Sequence, residues 1–338
     1  MISKLKTVIK ITIYRIVDLF IKPSKKIKPK SLLLIRLDGI GDYVLFRNFI
    51  EVLKKNNKYK GYSITLLGNS VWKSLSKELD DEYVDNFIWL ERNRFYNNLF
   101  YRYKKLQELV SNGYEIILSP IYSRESFIAD NIVKLVTAKE KIGSIGNLSN
   151  IKKWQKNISD KYYTKLIYAK KELMFEFYRN KEFFEYLLDT KIDIIKPRIS
   201  LKNKKLEHQL PRKYAILFVG GSEKFKKWNI EKFAKVGNHL KKQYGYDIVL
   251  CGAQENIDEA NELQKHYDGK ILNLVGKTSL LEFSKIICNG DLIFSNETSA
   301  PHFAAALEMK YIFVPFSGKY YGWFCPYPKE ISKNYHVI

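Results

Sequence analysis

A repeated alternation of short apolar runs with longer amphipathic segments limits the possible folds of this chain more than any other feature. Parallel strands need connections long enough to return the chain to the starting edge of a sheet, and amphipathic helices usually provide them. The first half is therefore predicted to be α/β. The predicted strands are Leu32–Leu37, Ser63–Leu67, Asn86–Leu90 and Glu115–Ser119. The predicted helices cover residues 43–55, 70–79, 97–111 and 124–136.

A break in this pattern separates two halves. The stretch 161–188 contains no glycine or proline, which predicts a long helix, and Pro197 with the polar run 202–211 predicts a linker. Further strands are predicted at Tyr214–Val219, Asp247–Cys251, Ile271–Leu274, Leu292–Ser295 and Tyr311–Pro315. We expect two Rossmann-like domains, at 31–200 and 201–338, after a basic segment at 1–30. Ligands of such domains bind beyond the carboxyl ends of the strands, which predicts a site in a cleft between the two sheets.

The first thirty residues carry nine lysines and arginines and a single acid, Asp18. Ile9, Ile13 and Ile16 recur with helical spacing, but charges interrupt the apolar stretch 8–21, which is shorter than the roughly 20 residues of a spanning helix. Neither a transmembrane segment nor a cleaved signal peptide is predicted. Two interpretations remain open: a basic amphipathic helix on the inner leaflet, and a helix that packs on the first domain.

The net charge of +22 predicts a negatively charged partner, although compositional drift can also produce it. Anionic lipid and phosphorylated sugars fit this charge. No known nucleic-acid-binding motif is present, so nucleic acid is not expected as a partner. Cys251, Cys288 and Cys325 form no C-x-x-C pair, so neither a disulfide framework nor a zinc site is predicted, and a reducing cytoplasm is expected.

The turn after the first predicted strand has the sequence Arg-Leu-Asp-Gly-Ile-Gly-Asp at residues 36–42. Its glycines permit close backbone approach to a ligand, but a dinucleotide fingerprint would need a third glycine where Val44 stands. Asp42 either caps the following helix or serves as a general base. Arg36 either holds an anionic acceptor or pairs with Asp38 or Asp42.

Two loops in the second half place small and polar residues where strands end. The loop Gly220–Trp228 precedes a helix and forms either a phosphate site, favoured by the helix N-terminus and the nearby lysines, or a solvated turn. The segment 295–306 opens a helix of small residues. A lone helical histidine is more often structural than functional, but here it is one of four polar side chains. These four are Glu297, Thr298, Ser299 and His302.

Together these segments resemble glycosyltransferase family 9, whose best known members are the heptosyltransferases of the lipopolysaccharide core, with a GT-B fold of two Rossmann-like domains facing a cleft. The resemblance covers roughly residues 31–318. Its marks are the turn 36–42, the loop 220–228 with its Lys-x-Trp ending, the segment Gly276–Leu280 and the segment Glu297–His302. Each mark is modest by itself, and their order and spacing make the resemblance specific.

The resemblance implies a role for particular residues. Asp42 matches the proposed general base, and Lys226 matches a lysine that contacts the donor phosphates. Arg36 and Arg124 are expected on the acceptor side in the first domain, although Arg124 is also consistent with an exposed arginine at a helix start. The second domain is expected to bind the donor through Gly221, Ser222, Thr278, Glu297, Thr298, Ser299 and His302. Glu297 and Ser299 stand where the family has aspartate and glycine.

The resemblance also implies the reaction. We expect an inverting, metal-independent enzyme on the cytoplasmic face of the membrane that moves a sugar, heptose or a related one, from a nucleotide-sugar donor. ADP-heptose is the donor by analogy, and the acceptor is a lipopolysaccharide core or another cell-surface glycan or glycolipid. No Asp-x-Asp sequence occurs, and neither metal nor cofactor is expected. The alternatives are an inactive scaffold of the same fold, in which Glu297 and the early C-terminus have abolished activity, and a basic polyanion-binding protein.

Overall fold

The computed structural model describes residues 2–203 and 205–338, with residues 2–9 described by their backbone only. In this part of the chain, two parallel sheets of six strands each confirm the predicted pair of α/β domains. The first sheet contains β1 (Ile27–Arg36), β2 (Ser63–Asn69), β3 (Asn86–Leu90), β4 (Gly113–Ser119), β5 (Ala138–Ser144) and β6 (Lys165–Ile167). The second contains β7 (Tyr214–Phe218), β8 (Asp247–Cys251), β9 (Ile271–Asn273), β10 (Leu292–Ser295), β11 (Tyr311–Val314) and β12 (Tyr335–Val337).

The strand order is β3-β2-β1-β4-β5-β6 in the first sheet and β12-β11-β10-β7-β8-β9 in the second. In the first sheet the chain adds strands toward one edge from β1 to β3 and toward the other edge from β4 to β6, so the switch point lies between β1 and β4. In the second sheet it lies between β7 and β10. Ligands of open parallel sheets bind at such switch points, beyond the carboxyl ends of the strands. Strand β1 is buried on both faces from Leu32 to Ile35, because helices cover both sides of a parallel sheet.

The helices pack on both faces of the two sheets and join them through a shared apolar core. Those of the first half are α1 (Ile2–Leu19), α2 (Ile40–Phe46), α3 (Asn48–Lys55), α4 (Lys73–Leu79), α5 (Arg92–Asn97), α6 (Leu99–Val110), α7 (Ala129–Leu135), α8 (Lys153–Ser159) and α9 (Glu176–Leu188). Those of the second are α10 (Ile230–Tyr244), α11 (Ile257–Lys265), α12 (Leu280–Asn289) and α13 (Ser299–Ala306). The shared core includes Phe49 of α3, Phe184 of α9 and Phe303 of α13.

The prediction of one helix over 161–188 is wrong in its first part. Residues 165–167 form the edge strand β6, and α9 begins only at Glu176. Tyr163 lies so close to Gly143 of β5 that a Cβ on this glycine would be 2.4 Å from the tyrosine ring. The burial of this aromatic side chain on the sheet favours an extended backbone where the absence of glycine and proline predicted a helix.

Helix α1 packs on the first domain with one face. Tyr14 is buried between Phe127, at a ring-centroid distance of 5.7 Å, and the guanidinium of Arg102, at 3.9 Å from the tyrosine ring. Asp18 accepts hydrogen bonds from Asn131 and Lys134 at 2.9 and 3.0 Å. The interpretation of this segment as a helix that packs on the first domain therefore holds for the face that carries Tyr14 and Asp18. Among the described residues, no helix combines the length and apolar character that crossing a bilayer requires.

Residues 189–213 connect α9 to β7 and carry the chain between the two halves, where the linker was predicted. Asn48 of α3 fixes this connection, because it accepts a hydrogen bond from the Arg198 backbone N–H at 2.8 Å and donates one to the Arg198 carbonyl at 3.1 Å. The division of the chain at residue 200 stays a prediction.

The C-terminal segment of the second half returns to the start of α9 in the first. The Glu176 backbone N–H donates to the Trp323 carbonyl at 2.8 Å. Phe175 packs edge-on against Tyr327 at a centroid distance of 4.7 Å. The Tyr178 hydroxyl donates to Glu330 at 2.9 Å. The two halves are therefore joined by noncovalent contacts of this tail as well as by the connection 189–213.

Candidate active site

A crevice of about 460 Å³ lies between the two sheets and is lined by both halves. From the first half it receives the turn after β1, residues 39–42, and from the second the loops after β7, β8 and β10. Both contributions come from the carboxyl ends of strands, as the topology predicts. The predicted site residues that line it are Asp42, Gly221, Ser222, Lys226, Thr278, Glu297, Thr298, Ser299 and His302.

Asp42 occupies the first turn of α2 and uses one carboxylate oxygen to hold that turn. The Gly39 backbone N–H donates to Oδ2 at 3.1 Å. Oδ1 lies 4.0 Å from the Arg36 guanidinium, too far for a hydrogen bond. The two predicted roles of Asp42 are therefore compatible, because one oxygen caps the helix while the carboxylate still borders the crevice with 28% of its side chain exposed.

The surroundings of Asp42 make it a stronger base than an ordinary carboxylate. Burial and, to a smaller extent, the negative charge of Asp38 together raise its pKa to about 7, although the positive charge of Arg36 opposes this rise. A general base works best when its pKa lies near the working pH, because a large fraction of it is then ionised and it still binds a proton strongly enough to remove it from the acceptor. A pKa near neutrality in a crevice is also typical of functional carboxylates.

Arg36 is buried close to Asp42 and does not line the crevice. Its side chain is 1% exposed, and it contacts Asp38 at 3.0 Å, Glu176 at 3.0 Å and Asn180 at 3.1 Å. Burial disfavours the charged guanidinium, but Asp38, Glu176 and Asp42 raise its pKa overall. Of the two predicted roles, the structure shows the pairing with Asp38 and the proximity to Asp42. Sequence reasoning missed Glu176, which lies 140 residues away in the chain.

Lys226 and Glu297 face each other on the opposite side of the crevice. Their Nζ and Oε1 atoms are 4.0 Å apart, and the lysine also lies 4.6 Å from the centroid of the Tyr320 ring. Glu297 is buried and accepts a hydrogen bond from Ser317 at 2.9 Å. The neighbouring Lys227 pairs instead with Glu259, so only the first of the two adjacent lysines lines the crevice.

His302 lies in α13 and meets the first half directly. Its Nδ1 and the Tyr327 hydroxyl are 2.7 Å apart, and the ring is buried. Burial and, to a smaller extent, the positive charge of Lys226 together lower the His302 pKa to about 3, so the imidazole is neutral at physiological pH. A Cβ on Gly41 would lie 2.7 Å from the His302 Cδ2, which shows how closely the two halves approach here.

Asn296 organises the loop that follows β7, and sequence reasoning missed it. Its side-chain oxygen accepts from the Trp228 backbone N–H at 2.9 Å, while its amide nitrogen donates to the carbonyls of Val219 and Gly220 at 2.9 and 3.1 Å. These bonds hold Gly221 and Ser222 at the crevice. The position of Asn296 between the end of a strand and Glu297 is the signal that could have identified it.

The start of α13 borders the crevice. Thr298 is its N-cap and accepts a hydrogen bond from the Ala300 N–H at 3.2 Å, and Ser299 is the first helical residue. A helix N-terminus carries partial positive charge that favours phosphate. Thr278 lies nearby, immediately before Ser279, the N-cap of α12.

The structure does not bring Arg124 to the crevice. It is 1% exposed and contacts Asp130 at 3.1 Å, Asp160 at 2.8 Å, and Ser159 at 2.7 Å. Arg124 was expected either to face the acceptor or to be exposed at a helix start, and the structure shows neither. It is buried because Asp130 is also buried and requires a compensating positive charge. Arg124 therefore holds the loop after β4 in place.

Known proteins resemble this chain in sequence and in fold. The family model for glycosyltransferase family 9 (heptosyltransferase) matches residues 102–315. Lipooligosaccharide heptosyltransferase 2 of Campylobacter jejuni is 28% identical over 116 residues, 33% of this chain and 35% of that protein, so this similarity spans about a third of the curated relative.

Two solved structures share the fold over most of their length. The glycosyl transferase family 9 structure from Veillonella parvula superposes with a TM-score of 0.73 and 15% identity, covering 93% of this chain and 88% of that one. The E. coli heptosyltransferase WaaC with ADP-2-deoxy-2-fluoro heptose gives 0.67 and 16%, covering 91% and 92%. Because the family model matches more than half of its residues, the chain belongs to glycosyltransferase family 9.

Proposed function

We propose that this protein is an inverting, metal-independent glycosyltransferase that moves heptose or a related sugar from a nucleotide-sugar donor to a lipopolysaccharide core or another cell-surface glycan. One observation carries the proposal: Asp42 of the first half and Lys226 of the second line the same crevice. Family membership and the ADP-sugar named in the WaaC structure make ADP-heptose the first donor to test.

The reaction is a single displacement at the anomeric carbon of the donor sugar. Asp42 takes the proton of an acceptor hydroxyl as that oxygen forms a bond to the anomeric carbon. The bond from this carbon to the nucleoside diphosphate breaks on the opposite face, and the leaving group departs with the electron pair. The configuration at the carbon inverts. Positioned bases of this kind contribute about 100-fold to 10,000-fold to the rate.

The second half stabilises the charge that develops on the leaving diphosphate. Lys226 supplies a full positive charge, and the loop with Gly221 and Ser222 lies beside it in the crevice. The N-terminus of α13 adds a favourable dipole, and Thr298 and Ser299 add hydroxyl groups. Preorganised donors in a partly closed crevice are worth more than the same groups in water.

Glu297 and Thr278 are proposed to contact the donor sugar or nucleoside beyond the phosphates, because both line the crevice and Glu297 lies 4.0 Å from Lys226. The neutral imidazole of His302 completes the donor side. Closure of the two halves about the connection near residues 195–213 would align donor and acceptor and exclude water.

Metal independence follows from the cationic and dipolar groups assigned to the diphosphate. Transfer is expected to continue in excess EDTA, measured as release of nucleoside diphosphate that depends on an acceptor. A strict requirement for Mg²⁺ or Mn²⁺ would contradict this part of the proposal. In the part of the chain that the structure describes, no three His, Cys, Asp or Glu side chains are grouped to hold a metal ion.

Donor recognition is tested first by ligand-induced stabilisation, because a ligand that binds only the folded state raises the melting temperature. ADP, UDP, GDP and CMP are compared at equal concentration, and ADP is expected to stabilise most. Transfer from ADP-heptose to deacylated lipooligosaccharide is then measured. No stabilisation by any nucleotide, together with no transfer, would favour the inactive-scaffold alternative.

The protein is proposed to work on the inner face of the plasma membrane through the outer face of α1. Ile13, Ile16 and Leu19 of this helix are exposed, as is Phe20 directly after its end. The exposed cations nearby are Arg15, Lys22, Lys25, Lys26, Lys28 and Lys30. Apolar side chains beside basic ones favour binding to anionic lipid headgroups.

Co-sedimentation with vesicles tests this membrane contact. Binding is expected with vesicles that contain anionic phosphatidylglycerol and to weaken with purely zwitterionic ones. Ile16→Glu together with Leu19→Glu is expected to abolish binding. Tyr244→Glu is the matched control, because Tyr244 is exposed at the end of α10 in the second half. Equal binding by both variants would contradict the assignment.

A further inference from the structure

A hydrogen bond links the hydroxyl of Tyr327, in the C-terminal segment, to the imidazole of His302. The hydroxyl oxygen and Nδ1 are 2.7 Å apart, and both side chains are buried. The opposite edge of the ring faces the turn after β1, because its Cδ2 and Nε2 atoms would lie 2.7 and 3.3 Å from a Cβ on Gly41. His302 and Gly41 both line the crevice. The tyrosine therefore contacts one ring nitrogen, while the other nitrogen borders the site proposed for the donor.

The ring of Tyr327 is held in place by aromatic neighbours from both halves of the molecule. Phe175 of the first half packs edge-on against it at a centroid distance of 4.7 Å. Tyr335 of β12 stacks on it at 4.6 Å, with 20° between the ring planes. The hydroxyl of Tyr335 has a different partner, the Cys325 Sγ at 3.6 Å. Because close-packed aromatic rings have little freedom to turn, the Tyr327 hydroxyl stays next to His302.

The His302 imidazole is neutral at physiological pH, so only one of its two nitrogens carries a hydrogen. Burial and, to a smaller extent, the positive charge of Lys226 together lower its pKa to about 3. In a neutral imidazole one nitrogen donates and the other accepts, and the hydrogen bond made by one nitrogen selects the tautomer. The partner of Nδ1 therefore decides whether Nε2 offers the crevice an N–H donor or a lone pair.

The direction of the bond follows from what the tyrosine hydroxyl needs. Among the residues that the structure describes, His302 is the hydrogen-bond partner found for this hydroxyl. If Nδ1 carried the hydrogen and donated to the tyrosine oxygen, the buried hydroxyl hydrogen would have no acceptor, which is costly. Burial also raises the pKa of Tyr327 well above its ordinary value, which keeps the hydrogen on the oxygen. The tyrosine therefore donates to Nδ1, and the histidine hydrogen lies on Nε2.

We infer that Tyr327 is a positioning residue that holds the His302 N–H on Nε2, where it donates to an oxygen of the donor diphosphate. This assignment rests on the proposed transferase function. Within the described part of the chain, Nε2 has no hydrogen-bond partner of its own. Phosphate oxygens are strong acceptors, so the other tautomer would turn a lone pair toward them. The N–H of a neutral ring adds a preorganised donor to the crevice that Lys226 lines, without adding a second charge.

The nitrogen chemical shifts of His302 test the tautomer directly, because a protonated and a bare ring nitrogen resonate at very different frequencies. The chain has five histidines, so isotopically labelled histidine gives few signals, and His302→Gln identifies those of His302. The wild type is expected to carry the hydrogen on Nε2. Tyr327→Phe removes only the hydroxyl and is expected to let the hydrogen occupy both nitrogens. Tyr335→Phe is the matched control, because it removes a hydroxyl that is bonded to Cys325 from the stacked neighbouring ring.

Calorimetric titration with ADP tests the consequence for the donor. Tyr327→Phe is expected to weaken ADP binding about tenfold, the loss of one hydrogen bond to a charged group. Tyr335→Phe is expected to bind ADP as the wild type does. In a His302→Gln background, whose amide presents an N–H without a tyrosine partner, Tyr327→Phe is expected to change ADP binding much less.

Several outcomes would overturn the inference. One is a wild-type protein that carries the hydrogen on Nδ1. Another is a Tyr327→Phe variant that keeps either the wild-type tautomer or the wild-type affinity for ADP. Equal weakening of ADP binding with and without His302 would show that Tyr327 has a structural role only. A wild type that binds no ADP would count against the proposed donor site itself, and the nitrogen shifts would still decide the tautomer.

Discussion

The imidazole of His302 lies directly against Gly41, although the two residues come from opposite halves of the molecule. A Cβ on Gly41 would lie 2.7 Å from the His302 Cδ2 and 3.3 Å from its Nε2. The ring is buried and paired with the Tyr327 hydroxyl, so it has little freedom to move aside. At this point the two halves fit together only because residue 41 has no side chain.

Gly41→Ala is therefore expected to separate the halves and to lower both stability and transfer. Overpacking of a tight contact costs about 1 to 3 kcal/mol, seen as a lower melting temperature. In a His302→Ala background the same glycine substitution is expected to cost much less, because the ring that it meets is gone. Additive effects of the two substitutions on the melting temperature would contradict this explanation.

Asp42→Asn is expected to lower the turnover rate about 100-fold to 10,000-fold, because the amide cannot accept the acceptor proton. The asparagine side chain can still accept the Gly39 hydrogen bond that holds the start of α2. Stabilisation by ADP is therefore expected to remain as in the wild type. Loss of nucleotide binding in this variant would indicate a structural role for Asp42 instead.

The rate is expected to depend on pH through the same carboxylate. Asp42 must be ionised to act as a base, and burial raises its pKa to about 7. The specificity constant kcat/KM should therefore be constant well above pH 7 and fall as the pH drops through this value. His302, with a pKa lowered to about 3, adds no second step in this range. A profile that stays flat down to pH 5 would argue against Asp42 as the base.

Lys226 and Lys227 provide a matched pair for testing the donor site. Lys226→Met removes the cation that lines the crevice, whereas Lys227→Met removes one that pairs with Glu259 outside it. The first variant is expected to weaken ADP binding about tenfold or more, as loss of a charge-assisted contact should. The second is expected to bind ADP as the wild type does. Isothermal titration with ADP measures both.

Arg124→Met is expected to damage folding rather than acceptor recognition. Removal of one partner of a buried ion pair costs about 3 to 5 kcal/mol, because the other charge is left uncompensated, and Arg124 is buried with Asp130. Chemical denaturation should show this loss. Normal stability with a raised KM for the acceptor would restore the role that the family resemblance implies for this arginine.

Most strands of the two sheets could be predicted because they are short apolar runs with clear ends. The predicted bounds of β3, β8 and β10 agree with the structure at both ends. β5 was missed because its first half carries three consecutive charged residues, Lys139, Glu140 and Lys141, of which the first two are exposed. Its burial depends on pairing with β4 and β6, which no local pattern contains.

Many residues that line the crevice could be selected from the sequence because the pattern expected of a phosphate site is local: glycines, small residues and lysines at the ends of strands. The burial of Arg36 and Arg124 could not be predicted in this way. Each is an arginine near the end of a strand, but each is buried by carboxylates that lie elsewhere in the chain, such as Glu176 and Asp160. The position of each arginine after a strand can be read from the sequence, but the carboxylate that neutralises it depends on the folded structure.

Glu176 is attached to both halves at once. Its main-chain N–H is bonded to Trp323 of the C-terminal segment, and its carboxylate is bonded to Arg36 beneath the proposed base. Any movement of that segment would therefore be passed to Glu176 and to the Arg36 guanidinium, whose positive charge lowers the pKa of Asp42. If the binding of the proposed donor moves this segment, the Asp42 pKa should differ between the free enzyme and the donor complex.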